Sequence, residues 1–463
     1  MNIAPMLAIQ PQRVTLTRRR FCRSAVVLAL AAIAGICVAP LNDVSAKPRT
    51  KHASSNRVAK SKIKAHKHHR PRSVHVAAKT SPPEPSATSE TPVTNPAEPT
   101  KPLQILTRAE ILNSDATRLE RIGRHLMVGF HSWADVRALV EKRAIAGIFI
   151  TDHNVRNRSA AAIKADIDAL QAMRASQGMP PLIIAADQEG GSVSRLSPPL
   201  KRQVSLGRLL KDLKHDGELR KAVEDYAETQ AAELKRIGVT LNFAPVVDLK
   251  LNPSNRDDGE TRLRLRAISA DPYLVAKVAG WYCDKVAAAG IMCTLKHFPG
   301  LGRVARDTHV ATGEIAASEG QLELNDWVPF RRVMTKPNAA TMLGHVRVGV
   351  IDKDTPASYS KPLISGVIRK QWSYDGLLIT DDFSMGAITR SKGGVGAAAV
   401  KSLEAGADIV LVSFVEHHFD TVMSALLAAD ADDHIDRANA TASGERIARI
   451  LKAVAQPPSP PAN

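Results

Sequence analysis

Eight short, nearly continuously apolar runs, each followed by a longer amphipathic stretch, predict an α/β chain folded as a (β/α)8 TIM barrel over residues 103–455. Chemistry-bearing side chains gather at the C-terminal ends of these runs, the ends that a parallel barrel brings to one mouth. The runs lack the polar alternation of a half-solvated sheet, as expected of parallel strands covered on both faces. They are HLMVGF (125–130), AGIFIT (146–151), LIIAAD (182–187), TLNFAP (240–245), MCTLKH (292–297), TMLGHV (341–346), LLITDD (377–382) and IVLVSF (409–414). Helical patterns lie between them, at Ala160 to Arg174, Gly217 to Arg236, Pro272 to Ala289 and Val395 to Ala405. A doubly wound open sheet is the alternative that the pattern alone leaves, and no second folded domain is expected.

The 463 residues carry a net charge of +17, but residues 1–102 hold 17 Lys/Arg against four acidic residues, which leaves only +4 for the remaining 361. The basicity belongs to the N-terminal region, so a nucleic-acid partner is not expected. Thr17-Arg18-Arg19-Arg20-Phe21 precedes an apolar run from Ala25 to Ala39 and the small residues of Val44-Ser45-Ala46, so residues 1–46 read as an export signal. Twin-arginine and general secretory routes both stay open, and an uncleaved membrane anchor is the alternative. The chain is therefore expected to be exported, periplasmic or extracellular.

Residues 47–102 are basic and then Pro-rich without apolar periodicity, and read as a disordered linker. The linker includes His66, His68, His69 and His75, taken as part of a solvated cationic tail that clings loosely to cell wall or membrane surface. Residues 456–463 read as a disordered Pro-rich tail, and the protein is expected to be a monomer. Outside the signal only Cys283 and Cys293 remain. Two buried free thiols are the expectation, with one bridge between a helix and the following strand as the alternative.

Asp187, Lys296, His297, His345, Asp381 and Asp382 close apolar runs and are expected on the mouth. The loop KHFPGLGRVARDTHV contains no run that looks like core. Gly300 and Gly302 are expected to make it flexible, and Asp307 lies two residues from His309, where a carboxylate can orient an imidazole for acid/base work. Of the adjacent Asp381 and Asp382, at most one aims into the mouth, because successive side chains of an extended strand alternate. That one could act as a nucleophile. Asp187 and Arg195, in AADQEGGSVSRL, suit charge-assisted bonds to sugar hydroxyls. The diglycine matches neither nucleotide-binding spacing, and the body of the chain shows no HExxH, no CxxC and no close pair of His ligands, so no cofactor or metal is expected.

With these residues in view, the sequence resembles the single-domain bacterial β-N-acetylhexosaminidases of glycoside hydrolase family 3. The likeness runs from about residue 120 to 430 and is carried by DQEGGSVSRL, NFAPVVDL, KHFPGLGRVARDTH, DTPASYS and TDDFSMGAI. It implies Asp381 as nucleophile, His309 as acid/base oriented by Asp307, and Asp187, Arg195, Arg266, Lys296 and His297 as the residues holding the first sugar. Arg266 is chosen over Arg262 and Arg264 because it precedes Asp271-Pro272 as a binding arginine does in the family. Leu301 where His is common, Gly344 where Ala is usual, and a longer 252–265 loop depart from the pattern and bear on specificity. The implied activity is exo-acting, retaining hydrolysis of terminal β-linked N-acetylglucosamine from peptidoglycan- or chitin-derived oligosaccharides, which are the implied amino-sugar substrates. A family 3 β-glucosidase-like enzyme and a non-catalytic wall-binding protein are the alternatives.

Overall fold

The computed structural model describes residues 103–251, 259–413 and 415–455. The export signal, the linker and the C-terminal tail lie outside the described residues.

The eight apolar runs form eight parallel strands: β1 (Leu126–Gly129), β2 (Gly147–Ile150), β3 (Ile183–Ala186), β4 (Leu241–Asn242), β5 (Cys293–Phe298), β6 (Ala339–Leu343), β7 (Leu378–Asp382) and β8 (Ile409–Val412). Around the sheet they run β4-β3-β2-β1-β8-β7-β6-β5. Parallel bridges between Leu241 and Met292 and between Val246 and Lys296 join the two ends and close the barrel. The hydrogen bonds Asn242 N to Met292 O (2.9 Å) and Thr294 N to Ala244 O (2.8 Å) carry that seam.

Strand alternation assigns the faces. Met127, Phe149, Ile183, Ala185, Leu241, Phe243, Met292, Ala340, Met342, Leu377, Ile379, Ile409 and Leu411 fill the barrel interior as one buried cluster. Their neighbours on each strand point outward to the helices. Extending the same period past Leu377 and Ile379 brings Asp381 inward; past Ile183 and Ala185 it brings Asp187, and past Met292 it brings Lys296. The interior is thus mainly apolar, with Thr294 between Met292 and Lys296 on β5, and closes with a charged layer.

The outer layer consists of α1 (Trp133–Glu141), α2 (Ala160–Ser176), α3 (Asp216–Ile237), α4 (Pro272–Ala288), α5 (Val328–Val333), α6 (Pro362–Gln371), α7 (Gly394–Glu404) and α8 (Val415–Ala431). Capping residues set several starts. Ser159 accepts from Ala162 N ahead of α2, and Asp271 accepts from Tyr273 N with Pro272 opening α4. Below the barrel, Ile447, Ile450 and Leu451 of the C-terminal helix Arg437–Ala455 plug the interior. Asp408, fully buried, fixes that helix by accepting from Arg446 (2.9 Å), Arg369 (2.7 Å) and the Leu378 N–H (2.8 Å).

Cys283 and Cys293 form a disulfide rather than the two free thiols expected. The reason is local: α4 doubles back over the strand it feeds, which brings the two Cα atoms to 5.4 Å, within bridging range. With a sequence separation of 10, loop-closure entropy implies a contribution of about 2–3 kcal/mol. The Cys283→Ser, Cys293→Ala double variant should lose that much in urea denaturation while keeping the wild-type m-value. An unchanged midpoint would contradict the assignment.

Candidate active site

A cavity of about 340 Å³ opens at the C-terminal ends of the strands. Its floor is the top of the apolar interior, where Phe149 and Phe243 lie with ring centroids 5.3 Å apart. Asp187, Arg195, Arg266, Lys296, His297, His309, Asp381 and Asp382 all line it. Asp307 lies buried directly behind His309. Arg262 and Arg264 are not among the lining residues. A larger cavity, about 650 Å³, lies at the opposite end of the barrel, but its cations Arg331, Lys336 and Arg449 pair with Glu323, Asp284 and Asp375.

One wall is a charge cluster. Lys296, inward on β5, binds Asp187 (2.6 Å) and Glu189 (2.6 Å), and Arg266 clamps Glu189 through Nε (2.8 Å) and Nη2 (2.6 Å). Two carboxylates balance two cations, which lets all four sit at the water-poor end of the interior. Burial alone would raise the Glu189 carboxyl, but Arg266 and Lys296 outweigh it and hold it at about 2. A pKa depressed in the folded state contributes stability that is present above the ordinary carboxylate value and lost as pH falls toward 2. Against the ordinary 4.5 the difference corresponds to roughly 3 kcal/mol. Glu189→Gln should therefore be less stable at pH 7 and should lose less further stability between pH 5 and 2 than the wild type. Parallel pH dependences in urea denaturation would refute this.

His297 stands beside the cluster, with Nδ1 2.7 Å from Asp248 Oδ2 and its N–H donating to Asp248 Oδ1 (3.1 Å). The same Oδ1 accepts from Leu301 N (2.7 Å), so fully buried Asp248 fixes both the imidazole and the start of the next loop. With Nδ1 on the carboxylate, Nε2 is left toward the cavity, 3.5 Å from Arg266 Nη2.

The loop after β5 departs from expectation. Leu301 and Val304 are buried in the core, so part of the segment is anchored by packing. Gly302 is there for close approach: a Cβ would sit 2.5 Å from Leu249 O. Beyond this anchor, Asp307 Oδ2 accepts from the N–H groups of Glu260 (2.8 Å) and Thr261 (2.9 Å). Asp307 Oδ1 accepts from the Thr261 hydroxyl (2.7 Å), His309 N (3.0 Å) and His309 Nδ1 (2.9 Å). Burial would raise the Asp307 carboxyl, but the Thr261, Glu260 and His309 donors hold it far below the carboxylate range. An ionised carboxylate only accepts, so His309 carries its proton on Nδ1 and leaves Nε2 for transfer. His309 O accepts from Gly386 N (2.8 Å) just past β7, which ties the loop to the strand bearing Asp381. A Cβ at Gly386 would come within 2.7 Å of that oxygen.

Asp381 and Asp382 both line the cavity but are held differently. Asp382 borders the cavity, but its Oδ1 accepts from Ser384 N (2.9 Å) and Ser413 N (2.9 Å), and burial raises its carboxyl. Asp381 faces inward and accepts from Asp382 N (2.9 Å). Burial would raise its carboxyl too, yet His297, His345 and the Asp382 N–H together bring it below the ordinary value. The strand pairing shifts register between Ile379 and Asp382 and between Leu295 and Phe298, the two places where β7 and β5 present these groups. His345, expected on the mouth, lies fully buried behind it. It bridges Ser358 Oγ and Asp382 O (2.9 Å each) and so props the β7 end from outside the barrel.

Glu189, Asp248 and Thr261 were not singled out in the sequence. Glu189 follows Asp187 by two residues just past an apolar run, and Asp248 ends the NFAPVVD run, so both carried a signal. An ionised carboxylate facing a cavity with an oriented imidazole, beside a cluster rich in charge-assisted donors, is equipped for acid/base-assisted displacement at a polyhydroxylated carbon centre.

The chain is similar to known proteins over more than half of its length. The family model described as Glycosyl hydrolase family 3 N terminal domain matches residues 117–450. A protein named Beta-hexosaminidase LpqI from Mycobacterium tuberculosis is 31% identical over 306 residues, covering 63% of this chain and 72% of its own. A Beta-hexosaminidase of Xylella fastidiosa is 36% identical over 280 residues, 59% of this chain and 77% of its own. Among solved structures, a glycoside hydrolase family 3 beta-N-acetylglucosaminidase from Paenibacillus sp. superposes with a TM-score of 0.66 at 29% identity over 74% of this chain. This chain spans 64% of that protein's length.

Proposed function

The chain belongs to glycosyl hydrolase family 3 and is a glycoside hydrolase, and we propose that it is an exported, exo-acting, retaining β-N-acetylhexosaminidase. The observation that carries this reading is the pairing, in one cavity, of ionised Asp381 with the Asp307–His309 dyad. In the first step Asp381 attacks the anomeric carbon while His309 Nε2–H protonates the departing glycosidic oxygen. A glycosyl-enzyme forms and the aglycone leaves as an alcohol. In the second step His309, now neutral, takes a proton from water as the water oxygen displaces Asp381, so configuration is retained. A carboxylate nucleophile makes participation by the acetamido group unnecessary. At about 340 Å³ the cavity is at the small end for ligand sites, which suits one terminal sugar rather than an internal stretch of chain.

Asp187, Arg195, Arg266, Lys296 and His297 are the residues proposed to hold that sugar. The substrates proposed are peptidoglycan- or chitin-derived oligosaccharides ending in β-linked N-acetylglucosamine. Export is supported by the N-terminal signal pattern and by the Cys283–Cys293 bridge, which persists where the environment is oxidising. The basic segment 47–102 is proposed as a loose tether to anionic wall or membrane surface. The test is to assay the full chain with a chromogenic β-N-acetylglucosaminide beside the matching β-glucoside. Turnover confined to the acetamido sugar is expected. Preference for the glucoside would overturn the assigned sugar class, and turnover of neither by a folded protein would overturn the enzymatic reading.

A further inference from the structure

We infer that Thr261, on the connection between β4 and α4, is a positioning residue for the acid/base pair, holding the Asp307 carboxylate in the orientation that fixes the His309 tautomer. The inference rests on the proposed acid/base role of His309. A carboxylate on a loop can rotate about its own axis, and a rotation that moves Oδ1 away from His309 Nδ1 would release the ring. The two oxygens of Asp307 are held differently. Oδ2 has the N–H groups of Glu260 and Thr261, at 2.8 and 2.9 Å. Oδ1, which receives the ring proton, is bonded by groups of His309 itself and by the Thr261 hydroxyl at 2.7 Å. That hydroxyl is thus the contact to Oδ1 that comes from a separate segment of the chain rather than from His309 itself. Its oxygen is also 3.4 Å from His309 Nδ1, so it sits against both partners of the pair.

Thr261 is itself firmly placed. It is 6% exposed, and its carbonyl accepts from Arg266 Nη1 (2.9 Å), the same guanidinium that clamps Glu189. Leu263, two residues on, is buried in the core, and the turn Leu263–Arg266 connects the two positions. One residue therefore joins the sugar-binding charge cluster to the acid/base carboxylate, with its carbonyl on one side and its N–H and hydroxyl on the other. Thr261 touches neither the reacting carbon nor the departing oxygen in the proposed reaction; it acts through Asp307.

Two variants and two readouts test this. Thr261→Val keeps shape and the backbone N–H but lacks the hydroxyl, and Thr261→Ser keeps the hydroxyl. With a β-N-acetylglucosaminide whose alkyl leaving group needs protonation, Thr261→Val should lower kcat/KM about tenfold, mainly through kcat. With the 2,4-dinitrophenyl glycoside, whose leaving group departs unprotonated, kcat/KM should change less than about twofold. Thr261→Ser should match the wild type on both. Nitrogen-15 spectra, with the His309 signal assigned by its loss in His309→Gln, should show Nδ1–H in wild type and Thr261→Ser and a weakened or exchange-broadened signal in Thr261→Val. Equal losses on both glycosides, a change in KM alone, an intact Nδ1–H in Thr261→Val, or a tenfold loss in Thr261→Ser would overturn the inference. If the wild type turns over neither glycoside, the glycosidase reading falls, and the ring spectra then decide the role of Thr261 by themselves.

Discussion

Asp381→Asn is expected to lower kcat/KM on a β-N-acetylglucosaminide by on the order of 10⁴- to 10⁶-fold, the range found when a covalent nucleophile is removed from an otherwise intact site. The substitution is nearly isosteric, and Asp382 N donates to Asp381 Oδ1, a contact an amide oxygen can keep. Folding should therefore survive, and substrate affinity should be little changed because the Lys296 and Arg266 cluster is untouched. What is lost is the negative charge that meets the anomeric carbon as it becomes cationic, together with the ability to form the glycosyl-enzyme. Two further observations separate this from general damage. A slow fluorinated glycoside should add one sugar mass to wild-type protein at Asp381 and none to the variant. In addition, the acid limb of wild-type kcat/KM that belongs to the nucleophile should fall below the ordinary carboxylate range, because His297, His345 and the Asp382 N–H outweigh burial at Asp381. Label on another carboxylate, or a variant within about tenfold of wild type, would remove Asp381 from the proposed role.

The barrel was legible because its strands are covered on both faces, and such strands are written as continuous apolar runs that few other elements mimic. Strand periodicity then reached into the site: Asp187, Lys296 and Asp381 face inward because they continue the faces of Ala185, Thr294 and Ile379. What the sequence hid were pairings made across the barrel. Thr261 and Asp307 lie 46 residues apart and meet only because β4 and β5 close the ring. His345 ends an apolar run like the others, yet lies in the layer between strands and helices. A polar residue at a strand end reads alike whether it faces the mouth or the shell behind it. The loop holding His309 looked free of core because Leu301 and Val304 are isolated apolar residues in a polar segment. Between them Gly302 passes against Leu249 O, so this anchor rests on a segment far away in the sequence. The disulfide ranked second to two free thiols for a related reason: the turn between α4 and β5 reads as a connection, whereas its geometry brings the two cysteines face to face.

Asp307→Asn should cost about 10³- to 10⁴-fold in kcat/KM on substrates with poor leaving groups, close to the loss from His309→Gln. An amide cannot satisfy the present arrangement in either orientation. Both carboxylate oxygens accept, Oδ2 from two N–H groups and Oδ1 from a hydroxyl and two His309 nitrogens. Whichever side the NH2 takes, donors oppose donors. If it takes the Oδ1 side, it favours the tautomer with a bare Nδ1 and a protonated Nε2, and the neutral ring can no longer accept a proton from water there. Deglycosylation should then become slow even when departure of the aglycone is easy. With a dinitrophenyl leaving group, Asp307→Asn and His309→Gln should both show a burst followed by slow turnover. Azide, which attacks without giving up a proton, should accelerate that turnover and yield the β-glycosyl azide. Those outcomes follow only if one group serves as acid in the first step and base in the second. If azide fails to accelerate either variant while the burst persists, another residue activates water, and the single-histidine assignment would have to be abandoned.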